Sequence, residues 1–149
     1  MEEKNQANPA RRTAVLYGIA ALVSLVGLVD SIYLTVEHIS GRSVRCTLVS
    51  GCSEVLSSSY ATVRGYPIAA IGALAYFTVF SLAILIAFGY RKLRPLLAVQ
   101  VAAMFLVTLW LFYLQAFVIG HFCQFCLLSA LVTTALTVLM VIANRLNKT

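Results

Sequence analysis

Four cysteines are the residues of this 149-residue chain best able to do chemistry, and they fall into two pairs. Cys46 and Cys52 are spaced C-x5-C; Cys123 and Cys126 are spaced C-x-x-C within "GHFCQFCLLS". Thiols this close can cycle between dithiol and disulfide, passing two electrons by thiolate attack on sulfur. On a helix, positions i and i+3 share a face, so a Cys123–Cys126 bridge ties one turn to itself. A bridge that holds no other element in place is one suited to opening. Four cysteines could instead bind zinc, but structural zinc sites draw on close C-x(2–4)-C pairs, and C-x5-C is wider. Two permanent structural disulfides in a non-catalytic protein are the plainer alternative, and the idle geometry of the C-x-x-C bridge argues against them.

The elements that must position these pairs are membrane helices. Charged residues make up 11% of the chain, against about 25% in a soluble domain. Four apolar runs, at 14–36, 67–89, 96–119 and 123–143, are 21 to 24 residues long and together contain one charge, Asp30. About 20 residues cross a bilayer core as a helix, and the runs lack the alternation of barrel strands. The expected fold is an all-α integral membrane protein, a four-helix bundle. It comprises a tail over 1–13, a redox domain over 14–143 with a long loop at 37–66, and a tail over 144–149. The first run is too long for the apolar core of a signal peptide and reads as a true span. The polar tail before it reads as disordered.

Lys and Arg number eight in the two tails and the second connection (Lys4, Arg11, Arg12, Arg91, Lys92, Arg94, Arg145, Lys148). They number three in the long loop (Arg42, Arg45, Arg64). Counted by the positive-inside rule, both termini are cytoplasmic in a multi-pass cell-membrane protein. The net charge of +6 is therefore a topology signal, and no nucleic-acid partner is expected. Two crossings separate the cysteine pairs, so all four cysteines share the extracytoplasmic side, where disulfide chemistry is favoured.

The N-terminal end of the fourth helix then faces outward, and its dipole favours a thiolate at Cys123 or Cys126. Cys126 lies one turn deeper, followed by Leu127 and Leu128. A pair half in water and half in lipid can meet a soluble disulfide on one side and a lipid-soluble quinone on the other. In the loop, "CSEVLSSSYATVRGYP" suggests a short helix with Glu54 in its first turn, and Val55 and Leu56 resting on the membrane surface. Such a cap would bring Cys52 toward Cys123, while Cys46, in "GRSVRCTLVSG", is free to reach outward.

The order "DSIYLT", C-x5-C followed by "SEVLSSSYAT", then "GYPIAAIGALAY", then C-x-x-C resembles the bacterial branch of the vitamin K epoxide reductase family, over about 15–143. It differs from the other quinone-linked thiol oxidase type of bacteria, in which C-x-x-C precedes the spaced pair. The resemblance implies a four-helix bundle around a quinone of menaquinone, ubiquinone or phylloquinone type, capped by the loop. It implies that Cys46 exchanges with a separate, extracytoplasmic thioredoxin-like protein, that Cys52 passes electrons to Cys123, and that Cys126 is the thiolate facing the quinone. Ser58 matches a serine of the cap. Vertebrate members hold the vitamin K head group with an asparagine on the second helix and a tyrosine four residues after the last cysteine. The matching positions here are Ile68 and Ala130, which favours quinone reduction over epoxide reduction. The implied activity is a quinone-linked thiol:disulfide oxidoreductase supporting disulfide formation, without a metal.

Other residues fit around this core. His121 could give a hydrogen bond or proton to a quinone oxygen near Cys123, and joins Ser58, Ile68 and Ala130 as a quinone-site expectation. Asp30, near the outer end of the first span, could handle protons or dock the cap. Gln100 and Gln115 read as interhelical hydrogen bonds. Trp110, Phe112, Tyr113 and Phe117 read as packing and interface anchors, and Gly72 and Ala73 as a place of close helix approach.

Overall fold

The computed structural model describes residues 8–42, 46–48 and 51–148. Its first helix, α1 (Pro9–Ile39), begins where Asn8 accepts a hydrogen bond from the Ala10 N–H at 3.2 Å and Pro9 takes the first helical position. Both are strong starting signals, since an N-cap side chain satisfies an orphan N–H and proline loses none there. The tail expected over residues 1–13 is therefore helical from Pro9. The rest of that expectation, on residues 1–7, lies outside the described residues, as does Arg45. At 1.5 Å per residue α1 is about 46 Å long, more than enough to cross a hydrocarbon core of about 30 Å.

Helix α2 (Cys52–Ser57) is the expected cap. A short hairpin follows, β1 (Thr62–Val63) pairing antiparallel with β2 (Tyr66–Pro67). Its two turn residues, Arg64 (φ 52°) and Gly65 (φ 87°), carry the positive φ that tight hairpin turns need. No strand was expected here. The chain then enters α3 (Ile68–Ala87), turns at Gly89, and rises as α4 (Arg94–Tyr113). α4 ends in a wider π-helical stretch, Leu114–Ile119, stopped by Gly120 in the left-handed conformation (φ 73°). The last helix, α5 (Gln124–Lys148), runs through the tail expected from residue 144.

Among the described residues, four helical segments are long and apolar enough to cross a membrane: Pro9–Ile39, Ile68–Ala87, Arg91–Ile119 and Gln124–Lys148. Their outward faces are greasy, with Leu22, Leu74 and Leu106 about two-thirds exposed; in water such surface would drive aggregation, whereas in lipid it is the natural coat. Inward, α1 packs chiefly on α3 and also on α5, and α4 packs on α5. The α1–α3 seam is close because Gly27 lies flat against the Tyr76 ring and Gly72 faces Ser31, the small-residue packing that membrane helices use. Tyr17, Ala20, Val79, Ala83, Leu97, Val101 and Leu136 form the main core. A second cluster, of Leu34, Cys52, Val55 and Cys123, closes the end of the bundle beneath α2.

Candidate active site

The cap carries the first pair. Cys52 opens α2, is 1% exposed, and is disulfide-bonded to Cys46, with the two Cα atoms 5.9 Å apart. Val55 and Leu56 point down into the bundle mouth and line its cavity. They cover that cavity; resting on the membrane surface was the sequence expectation. The loop lies so close to the start of α5 that a Cβ on Gly51 would stand 2.6 Å from the Phe122 carbonyl oxygen and 2.8 Å from the His121 Cβ. Glycine is required at this contact for lack of room.

The second pair sits directly below. Cys123, fully buried, lies one residue ahead of α5 and of its span. Its backbone N–H donates to Gln115 Oε1 at 3.1 Å, and its carbonyl accepts from the Leu127 N–H at 3.0 Å. The next residue, Gln124, accepts at Oε1 from the N–H groups of Thr47 (3.2 Å) and Leu48 (2.9 Å). The segment after Cys46 is thus hung from the C-x-x-C itself. The sulfurs of Cys46, Cys52 and Cys123 all lie within 4.8 Å of one another. Three converging sulfurs would also suit a thiolate metal site, but two of them are already shared in the Cys46–Cys52 bond. As arranged, Cys123 is placed for sulfur-to-sulfur exchange with that bond.

Cys123 and Cys126 are thiols here. The Cys126 thiol donates to the Cys123 sulfur, which lowers the Cys123 pKa to about 7 against the opposing effect of burial. The backbone N–H groups of Cys126 and Phe125 add to the lowering. The backbone part is the helix N-terminus acting on an anion. The lowered group is Cys123, whereas the resemblance implied the thiolate at Cys126, which here is the donor of the pair.

Cys126 opens the other way. It lines a cavity of about 320 Å³ among α1, α3, α4 and α5, within the usual size of small-molecule pockets. Ser58, Ile68 and Ala130 line it as well. The Ser58 hydroxyl donates to the Val55 carbonyl at 2.7 Å, ending α2, and keeps a lone pair free to accept. Ile68 and Ala130 offer only apolar wall. His121 does not join them: it is exposed, in the turn after Gly120, with its Cβ against Gly51 and no place on the cavity wall. The left-handed Gly120 turns the chain over the bundle rim there, and so carries the imidazole outward.

Several residues of the site were not legible beforehand. Tyr76 is buried, and its hydroxyl meets Ser129 Oγ (2.7 Å), the Ser129 carbonyl (3.0 Å) and Thr133 Oγ1 (2.9 Å). Ser129 and Thr133 follow Cys126 at i+3 and i+7, a spacing that could have flagged them as one cavity-facing stripe. Gln115 was expected to bond between helices and instead holds a backbone N–H beside the reactive sulfur.

Comparison with known proteins agrees with this geometry. The model of the vitamin K epoxide reductase family matches residues 18–141. A curated relative, Thiol-disulfide oxidoreductase LTO1 of Arabidopsis thaliana, is 30% identical over 123 residues, 76% of this chain and 33% of the relative. The chain thus spans about a third of that relative's length.

Proposed function

The chain belongs to the vitamin K epoxide reductase family, and from that premise we propose that it is a membrane thiol oxidoreductase which takes two electrons from a thioredoxin-like dithiol and delivers them to a membrane quinone. The relative's name, a thiol-disulfide oxidoreductase, supports the thiol half of this reading. One observation carries the whole: Cys123 has the Cys46–Cys52 sulfurs within 4.8 Å on one side, and its partner Cys126 opens into an apolar cavity on the other.

The cycle follows from sulfur chemistry. A partner thiolate attacks Cys46, the Cys46–Cys52 bond breaks, and the partner's second thiolate closes its own disulfide, leaving the loop pair reduced. The Cys52 thiolate then attacks an oxidised Cys123–Cys126 pair at Cys123. Cys46 resolves the mixed disulfide, and the inner pair is left as two thiols. That is the arrangement described here, with the loop pair bonded and the inner pair reduced. A quinone in the cavity accepts two electrons as the Cys123–Cys126 bond re-forms, with Ser58, Ile68 and Ala130 among its neighbours. With both termini cytoplasmic, the loop pair faces the oxidising side.

The test is turnover of the purified protein with a reduced thioredoxin-like protein and a panel of benzoquinones and naphthoquinones. Wild type should reduce at least one, and Cys126→Ala should reduce none. Undiminished turnover by the variant, or none by wild type with any quinone, defeats the reading.

A further inference from the structure

Reducing a quinone takes two protons as well as two electrons, and the cavity wall holds a carboxyl suited to the proton work. Asp30, on α1, is 6% exposed and lines the same cavity as Cys126. Both its carboxyl oxygens are buried without a hydrogen-bond partner among the described residues. This is costly: a buried carboxylate normally finds a donor or a cation, and a buried acid normally finds an acceptor. Tyr76 is engaged with Ser129 and Thr133, and Ser58 with the Val55 carbonyl. Tyr76 and Cys126 line the same cavity as Asp30. An unpartnered carboxyl at the wall of an apolar cavity, beside the thiol that faces it, is an incomplete hydrogen-bond pair whose missing member is a ligand atom.

We infer that Asp30 is the acid of the site: its carboxyl donates a hydrogen bond to one oxygen of the bound quinone and transfers its proton there as the quinone is reduced. This rests on the reading of the site as quinone-reducing. The step balances. The two thiols of Cys123 and Cys126 lose two electrons and two protons as their S–S bond forms. The quinone gains two electrons and two protons and becomes the hydroquinone. One of those protons comes from the thiols, the other from Asp30, and the second thiol proton restores the carboxyl. His38, two turns further along α1 and half-buried, also lines the cavity.

The test follows quinone reduction in a single turnover by fully pre-reduced protein, comparing wild type, Asp30→Asn, Asp30→Glu and Cys126→Ala. General acid catalysis contributes about 10²–10⁴-fold. Asp30→Asn, which keeps shape and size, should therefore form hydroquinone at least about 100-fold more slowly, with quinone affinity within about threefold of wild type. Asp30→Glu should recover part of the rate. A second measurement uses wild type alone: in infrared difference spectra, adding quinone should shift a carboxylic-acid C=O band that Asp30→Asn lacks. Asp30→Asn reacting at the wild-type rate overturns the assignment, as does a rate loss explained wholly by weaker binding, or an unchanged carboxyl band in wild type. If wild type reduces quinone, Cys126→Ala does not and Asp30→Asn is normal, only the acid is wrong; if wild type reduces none, the broader reading fails.

Discussion

Replacing Gly51 with alanine should sever the loop pair from the inner pair while leaving each intact. Gly51 has φ −99° and ψ 6°, a conformation open to alanine, so the backbone is not strained by the change. The damage is steric. The new Cβ would meet the Phe122 carbonyl oxygen at 2.6 Å, where an ordinary contact begins near 3.4 Å, so the two segments must part by about 0.8 Å. That oxygen is backbone, one residue from Cys123, and the displaced residue is one from Cys52. The separation is therefore passed almost undiminished to the sulfurs. A misplacement of about 1 Å at reacting atoms can cost about 100-fold in rate, and exchange must bring two sulfurs to about 2.05 Å. The assay needs no knowledge of the physiological partner. In a Cys46→Ser background, Cys52 and Cys123 are left to pair under mild oxidation, and mass spectrometry follows the bridged peptide. Adding Gly51→Ala should slow that bridge by about 10–100-fold, while quinone reduction driven by pre-reduced Cys123 and Cys126 stays unchanged. A bridge forming at the parent rate would refute the argument that the Gly51 contact sets sulfur approach.

Three further outcomes follow from the same geometry. Gln115→Leu strips the acceptor from the buried Cys123 N–H; an orphaned buried donor costs about 1–3 kcal/mol, so thermal unfolding in detergent should come at a lower temperature, and an unchanged midpoint would count against the bond. Gln124→Ala releases the Thr47 and Leu48 amides; their hydrogen exchange should quicken about tenfold for a loss of about 1.4 kcal/mol, and unchanged exchange would show that Gln124 does not hold this segment. For pH, a variant lacking Cys46 and Cys52 should show thiolate absorbance rising through a midpoint of about 7, because the Cys123 pKa is lowered. The anion is present above that midpoint and lost below it. Cys126→Ala removes the leading cause and should move the midpoint upward; a midpoint that stays put would be the contrary result.

The long-range features of the fold were plain in the sequence because lipid leaves so few options. Runs of about 20 apolar residues could only be spans, and the crossings between the cysteine pairs put them at one end of the bundle. Helix ends were read less well. Apolar character stops at the lipid boundary, whereas hydrogen bonding continues as far as capping allows, and so α1 starts at Pro9 and α5 runs to Lys148. Within the site, cysteine spacing was legible because it is itself the chemistry. Gln124 and Tyr76 were not, since each acts through partners more than 50 positions away. Gln115 was not either: its partner is only eight residues on, but across the turn at Gly120, which apolar patterning does not describe. His121 adjoins Cys123 closely in sequence yet lies off the cavity wall, because the left-handed turn at Gly120 comes between the wall and the imidazole.

The π-helical stretch at Leu114–Ile119 bears on how this family can change over time. A π turn holds one residue more than the α turn it replaces. Delete one residue there and the segment can relax to a regular α turn that covers the same rotation, so the chain beyond it keeps its bearing. The same deletion within the regular part of α4 would rotate everything beyond it by about 100°. The stretch is therefore the place in α4 where a single residue can be gained or lost while the C-x-x-C stays on its side of the bundle. Length variation among descendants should gather there rather than in the regular helix.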